Sequence, residues 1–295
     1  MGSFRETDYA LKDGALWHIS GVGGLPPEGF VCPACGEAVG TPSGTDSPPR
    51  FLHLSREECD HRRAATLVYY ARERIVRAGH ITIPAVHVAF STQKKPIALS
   101  AAKTIAIDRA ETVNVSDDAI PDILLYVGGK RLLTVVREGG TVREEALERV
   151  VQSGLSAILL DPKNTSPEKD FPDSGQIFGR SSEISWICNA VAEKVLRRFI
   201  EASDRRAVIK RGTELVVDGC PLLCRHSGRR FANYISDCFC CEFFIDRQII
   251  YKALPHDPRS YTSKEYILCT GRNHVATLRE LNDYDRRREA AVDPD

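Results

Sequence analysis

Apolar and polar positions follow the clearest pattern between residues 121 and 161. Ile123 to Val127 and Leu132 to Val136 are short, largely branched apolar runs of strand length. Gly128-Gly129 between them supplies the positive φ that a two-residue hairpin turn needs. Thr141 followed by Glu144 forms a capping box and predicts a helix start. Val142, Ala146, Leu147, Val150 and Val151 then fall on one face at helical spacing. Gly154 ends that helix, and Ser156 to Leu160 read as a buried strand. A hairpin, a helix and a returning strand predict the core of a small domain of mixed helix and sheet.

Around this core the pattern is looser. Residues 8 to 22 predict a hairpin turning at Lys12-Asp13-Gly14. A long helix is predicted over 57–79, with Ala64, Leu67, Val68, Ala71, Ile75 and Val76 as its apolar stripe and Gly79 as its stop. Residues 81–115 are strand-like in two runs, and 91–102 are expected to connect them. The Pro/Ser/Gly-rich stretch 162–181 reads as a linker or surface loop. Ser182 is expected to cap a second long helix, ISWICNAVAEKVLRRFIEAS, striped by Ile184, Ile187, Val191, Val195 and Phe199. Cys188 in that helix reads as a buried small hydrophobe. Charged residues 201–211 lead into a last module, which closes in a short helix with a frayed end.

Composition narrows the classes. The chain has 295 residues, 40 basic and 40 acidic, with a pI near 7.1. Net charge therefore gives no support for nucleic-acid binding, and any basic surface must be local. No apolar run approaches the roughly 18 residues of a membrane span. The amino terminus lacks the apolar core of a signal peptide, and Glu6 breaks the myristoylation pattern. A cytoplasmic protein with no membrane partner is expected.

Ten cysteines in a reducing compartment point to metal rather than disulfides. Cys32 and Cys35, with Gly36 behind them, form a zinc-knuckle half-site, because a tight turn aims both thiolates at one ion. His53 and Cys59 are the nearest candidates to complete a tetrahedral site, with His61 competing for the fourth place. A redox pair is the other reading, but no thioredoxin-like strand-to-helix junction accompanies the pair. Cys238 and Cys241 form a second such half-site, with Cys220 before and Cys269 after it, separated by strand-like runs as in a zinc ribbon. Cys224 and Cys240 remain as alternative ligands. Two structural zinc ions are expected. Arg225, His226, Arg229 and Arg230, beside Phe231 and Tyr234, could hold phosphates and stack bases, or form a solvated turn.

Tyr9-Ala10-Leu11, the Gly14 turn, Trp17-His18-Ile19, the Cys32-to-Val39 knuckle, Phe51-Leu52-His53, the Glu57-to-His61 helix start and Pro121-Asp122 occur in an order that resembles the CoiA-like competence protein family. The resemblance covers roughly residues 8 to 200. Arg50 departs from it, standing where the family pattern has a histidine. The resemblance implies a PD-(D/E)xK nuclease-like αβββαβ core (57–205); together with the cysteine patterns on either side of it, an α+β chain in three parts is expected, with an N-terminal hairpin and Cys/His zinc module (1–56) before that core and a C-terminal zinc ribbon (206–295) after it.

Nucleases of that fold hold Mg²⁺ with two carboxylates and place a positive group two residues after the second, so that both side chains share a strand face. Asp122 matches the first carboxylate. The second falls on Val135 and the partner on Arg137, so the metal-binding acid is missing. Glu138 lies one residue off, on the opposite strand face. Glu57 and His61 are the remaining candidates for a catalytic role, although acids at a helix start also serve the dipole. An Asp122–Arg137 ion pair is the economical expectation. Three readings stay open: a catalytically impaired nuclease fold associated with nucleic acid, DNA first; an active Mg²⁺-dependent DNA endonuclease whose missing carboxylate has migrated, Glu57, Glu144 and Glu145 being the sources; and a structural or protein-interaction subunit.

Overall fold

The structure is a computed structural model that describes residues 6–22, 28–41, 49–55, 59–90, 95–115, 120–137, 142–161, 184–222, 230–254 and 257–292. The chain is a mixed helix-and-sheet protein dividing into two compact units, Met1–Ala85 with Ala101–Ala190, and Val86–Ser100 with Val191–Asp295.

The first unit opens with the predicted hairpin, β1 (Tyr9–Lys12) and β2 (Ala15–His18). Its turn holds Asp13 and Gly14 at φ 52° and 75°, a conformation that glycine adopts without strain. Two-residue strands β3 (Val39–Gly40) and β4 (Leu52–His53) pair next. Helix α1 then runs Arg62–Ala78 and ends on Gly79 in the left-handed conformation. It starts later than the predicted 57. Its buried side differs from the predicted stripe as well. Val76 is 52% exposed, whereas Arg62, Thr66 and Arg74 are buried with Ala65, Leu67, Val68, Tyr70, Ala71 and Ile75. The N-terminal hairpin explains part of this. It accepts a hydrogen bond from Arg62 Nη2 at the Tyr9 carbonyl (3.3 Å) and one from Arg72 at the Gly14 carbonyl (2.6 Å). Polar heads with an acceptor can be covered, and long arginine stems pack as hydrocarbon.

Strand β5 (His80–Ile83) follows α1. Strands β6 (Val86–Val88) and β7 (Ile97–Ser100) pair with each other and belong to the second unit. Strand β7 replaces part of the connection expected over 91–102. Its alternating Ile97 and Leu99 pack into an apolar cluster, and that burial is invisible to local pattern. Strand β8 (Lys103–Ala106) returns to pair with β5.

The central sheet is built from β9 (Arg109–Val113), β10 (Asp122–Val127), β11 (Lys130–Val136), β12 (Ser156–Leu160) and β13 (Ile184–Cys188), in the order β13-β12-β11-β10-β9. The β10–β11 turn is Gly128-Gly129, at φ 54° and 74°. Helix α2 (Glu144–Gln152) crosses over so that β12 lies parallel to β11. Glu144 and Glu145 occupy its first turn, where the dipole favours acids. Thr141 of the expected capping box lies outside the described residues. One sheet face sets Ile123, Leu125, Leu132, Val136, Ile158 and Leu160 against Val68, Ala71 and Ile75 of α1. The other sets Leu133, Val135 and Ala157 against Val150 of α2.

Strand β13 corrects the second predicted helix. Ile184 to Cys188 are extended, and helix α3 begins only at Ala190 (Ala190–Glu201). Ile184 and Ile187 fit a helical stripe with Val191, but they fit an edge strand of branched residues equally well, and pairing with β12 decides it. Cys188 is half-buried in that strand and donates its S–H to the Leu155 carbonyl (3.2 Å).

The second unit is a five-stranded antiparallel sheet. Its strands are β14 (Asp204–Arg211), β15 (Glu214–Asp218), β16 (Phe231–Asn233), β17 (Phe244–Leu254) and β18 (Asp257–Cys269), in the order β16-β15-β14-β18-β17. Helix α4 (Leu278–Val292) closes the chain. One apolar cluster joins Val88, Val195, Phe199, Ile245, Leu268 and Leu281. A second joins Val217, Ala232, Tyr234, Phe244 and Ile267 with Cys238 and Cys269. Strand β18 pairs with β14 only from Tyr266 to Cys269, whereas its pairing with β17 continues to Asp257. The two strands thus run on as a ribbon. Among the described residues, no helix is long and apolar enough to cross a membrane.

Candidate functional site

Among the described residues, three places gather chemistry-bearing side chains. The first is the N-terminal knuckle. Cys32, Cys35 and His53 bring their ligating atoms within 4.8 Å of one another, a group that could hold a metal ion. The local chain makes this group. Cys32 N–H donates to the Glu37 carbonyl (2.8 Å), and Gly36 N–H to the Cys32 carbonyl (3.0 Å). Gly36 carries the reversal at φ 73°. The β3–β4 pairing sets His53 opposite Val39, just after the knuckle. Cys35 Sγ lies 3.3 Å from His53 Nε2; tetrahedral zinc with ordinary bond lengths puts sulfur and nitrogen about 3.5 Å apart. Burial raises the Cys32 thiol, while backbone N–H groups of Cys35 and Ala34 pull the other way. The donor set fits zinc. Cys59, the expected fourth ligand, packs on the same apolar cluster as Cys32 but stands outside the three-residue group. His61 is exposed and makes no cap hydrogen bond with its side chain.

The second place is a partly open cavity of about 300 Å³ lined by Cys220, Cys238, Cys240, Cys241 and Cys269, with Arg206, Pro221 and Asp237. Cys238 and Cys269 are buried, Cys220 and Cys241 half-buried, and Cys240 exposed. Burial first, then the Cys269, Cys220 and Cys241 sulfurs and Asp237, push the Cys238 thiol up to about 12. Burial likewise pushes Cys269 up to about 11, with Cys241 and Cys220 adding to it and the Gly271 N–H and Arg206 opposing. The four sulfurs do not make as tight a group as the N-terminal donors. Cys241 N–H turns back onto the Cys238 carbonyl (2.9 Å), and Gly271 N–H donates to Cys269 Sγ (3.4 Å). A methyl group on Gly271 would meet Pro221 Cγ at 3.1 Å and Cys269 Sγ at 3.3 Å. Arg206 and Gly271 are absent from the predicted ligands. Arg206 lies in the charged stretch read as a connection, and no local signal separates it from its neighbours. Of the basic group expected nearby, Arg225, His226 and Arg229 lie outside the described residues, as does Cys224. Arg230 is exposed, and its carbonyl accepts the Cys220 N–H (2.7 Å).

The third place is Asp122. It heads β10, fully buried, beside Val113 of β9. The β10–β11 register pairs Ile123 with Thr134, and one further step sets Asp122 beside Val135, itself fully buried. Arg137, two residues on, shares that face. Its Nη2 donates to Asp122 Oδ1 (3.2 Å) and its Nη1 to the Val136 carbonyl (2.7 Å). Burial lowers the Arg137 pKa, and the Asp122 charge raises it. The arrangement is a buried ion pair inside an apolar layer, with Val135 across from Asp122 on β11. Glu57, Glu58 and Glu138 lie outside the described residues.

Comparison with protein-family models, with curated proteins and with solved structures finds no match.

Proposed function

We propose that this chain is a CoiA-like, nuclease-fold protein that associates with nucleic acid, DNA first, without cutting it. With β5 to β8 set aside, which pair outside the central sheet, the order α1, β9, β10, β11, α2, β12 supports the reading, because it matches the αβββαβ sequence that the resemblance implies. The single observation that carries the loss of catalysis is the buried Asp122–Arg137 pair with Val135 beside it. A divalent ion needs several oxygen ligands and keeps waters. Here one carboxylate is engaged by a guanidinium, and the neighbouring position offers only hydrocarbon. Mg²⁺ has no role in this reading. Zinc is structural at both cysteine groups: Cys32, Cys35, His53 and Cys59 in the first unit, and Cys220, Cys238, Cys241 and Cys269 in the second. Nucleic acid would be met by local basic groups, Arg225, His226, Arg229 and Arg230, since the net charge is zero.

The test is a cleavage assay on single- and double-stranded DNA with Mg²⁺ or Mn²⁺, read beside a gel shift of the same mixtures. A shift that weakens with salt, without cleavage, is the expected result. Metal-dependent cleavage that disappears in Asp122→Asn would refute the loss of catalysis. Neither cleavage nor a shift would move the function to a protein partner.

A further inference from the structure

Arg206 stands on β14, on the sheet face that carries the cysteine cavity. Its Nη1 donates to the carbonyl of Gly219 (2.5 Å), the residue before Cys220. Its Nη2 donates to Asp204 Oδ2 (3.1 Å), and Asp204 is the cross-strand partner of Cys269. One guanidinium thereby ties the segment that delivers Cys220 to β14, the strand whose Asp204 end pairs with Cys269 of β18. Its third donor, Nε–H, is buried and has no hydrogen-bond partner. An orphaned buried N–H is destabilising, and native proteins seldom leave one without a reason. An acceptor is missing beside a cavity lined by thiols. A thiol sulfur accepts weakly, whereas a metal-bound thiolate accepts well.

From this geometry we infer that Arg206 is the positioning cation of a four-thiolate zinc centre made by Cys220, Cys238, Cys241 and Cys269. The inference rests on the second zinc site of the preceding reading and adds its charge balance. On binding, four thiols give their protons to solvent, and four thiolates with Zn²⁺ leave a doubly negative group in an apolar cavity. The desolvation of such a group is offset by donors aimed at sulfur. Gly271 N–H serves Cys269 from one side. Arg206, on the cavity wall, adds a guanidinium charge that Asp204 partly offsets, and an Nε–H without a partner. Cys240 stays outside the set, exposed to solvent.

The test uses the full chain carrying Cys35→Ser, which weakens the N-terminal site and leaves the second centre to be read alone. Co²⁺ replaces zinc and reports sulfur ligation through its tetrahedral absorption and its thiolate-to-metal charge-transfer band. Loss of a partner that orients a ligand typically lowers metal affinity about 10–100-fold. Arg206→Gln is expected to weaken chelator-competed Co²⁺ and Zn²⁺ binding by that factor. It should also move the charge-transfer band to longer wavelength, because a cation near sulfur holds electron density there. Arg206→Lys should restore the band more than the affinity, since it returns the charge without the fork. Arg205→Gln, one residue away on the opposite face, should change neither. Unchanged affinity and band in Arg206→Gln would overturn the role of Arg206 while leaving the centre standing. No thiolate spectrum in the Cys35→Ser chain itself would overturn the centre, and the inference with it.

Discussion

Asp122 and Arg137 offer the sharpest quantitative test of the central sheet. Both are buried, with 0% and 7% of their side chains exposed, and their closest atoms are 3.2 Å apart. At an effective dielectric constant of about 20, opposite unit charges at that separation attract by roughly 5 kcal/mol. Most of this offsets the loss of hydration, so the pair adds little net stability; breaking it is a different matter. Arg137→Met removes the cation and keeps the stem volume, leaving the Asp122 charge in an apolar layer. The expected cost is about 3–5 kcal/mol. Asp122→Leu should cost a similar amount, because the guanidinium then lies buried beside hydrocarbon. The double variant Asp122→Leu/Arg137→Met should lie within about 1–2 kcal/mol of the parent, or above it. The favourable coupling in such a cycle identifies a buried pair. The assay is urea unfolding followed by tryptophan fluorescence with zinc held constant. Both tryptophans, Trp17 and Trp186, belong to the first unit, so the signal reports that unit alone. A cost under about 1 kcal/mol for Arg137→Met would mean a solvated pair, and would refute a closed site at Asp122.

Four further outcomes are expected. Val135→Glu sets a second carboxylate beside Asp122 and should create measurable Mn²⁺ binding by calorimetry; no gain over the parent would mean that Val135 does not occupy the carboxylate position. Thr134 Oγ1 is buried with no hydrogen-bond partner, so Thr134→Val should raise stability by about 1 kcal/mol in the same urea assay, and a loss would point to a bound water. Metal analysis should find about two zinc per chain. Because Cys238 and Cys269 start as strongly held thiols, zinc affinity at their site should rise with pH across the neutral range, as each step upward lowers the cost of removing their protons. A pH-independent affinity would place the ion elsewhere.

The parts of the fold legible in the sequence are those whose signal is local. Gly128-Gly129 fixed the β10–β11 turn, and Gly79 the end of α1, because a positive φ leaves few other residues free to serve. The knuckle of Cys32 to Gly36 was legible for the same reason. What stayed hidden depends on partners distant in sequence. Ile184 to Cys188 became a strand because β12 offers an edge, and the Ile184–Ile187–Val191 spacing could not reveal that. The burial of Arg62 on α1 follows from a hairpin more than 40 residues upstream accepting its hydrogen bond. Arg206 shows the same limit at the candidate site: its importance lies in the segments it joins, and nothing in the run of charges around it marks it out.

The ribbon formed by β17 and β18 carries a consequence for self-association. Among the described residues β18 pairs with β14 only over Tyr266–Cys269, and a ribbon that runs on past its sheet in this way is a place where another strand could add. The ribbon also bears aliphatic side chains, Ile249 and Ile250, 37% and 40% exposed. Their cross-strand neighbours are Glu265 and Lys264. A strand arriving from a second molecule would have to bury a charge with each isoleucine it covered. Placing an ionised residue across from each exposed isoleucine is a gatekeeper arrangement, one that opposes the stacking of this ribbon on another copy.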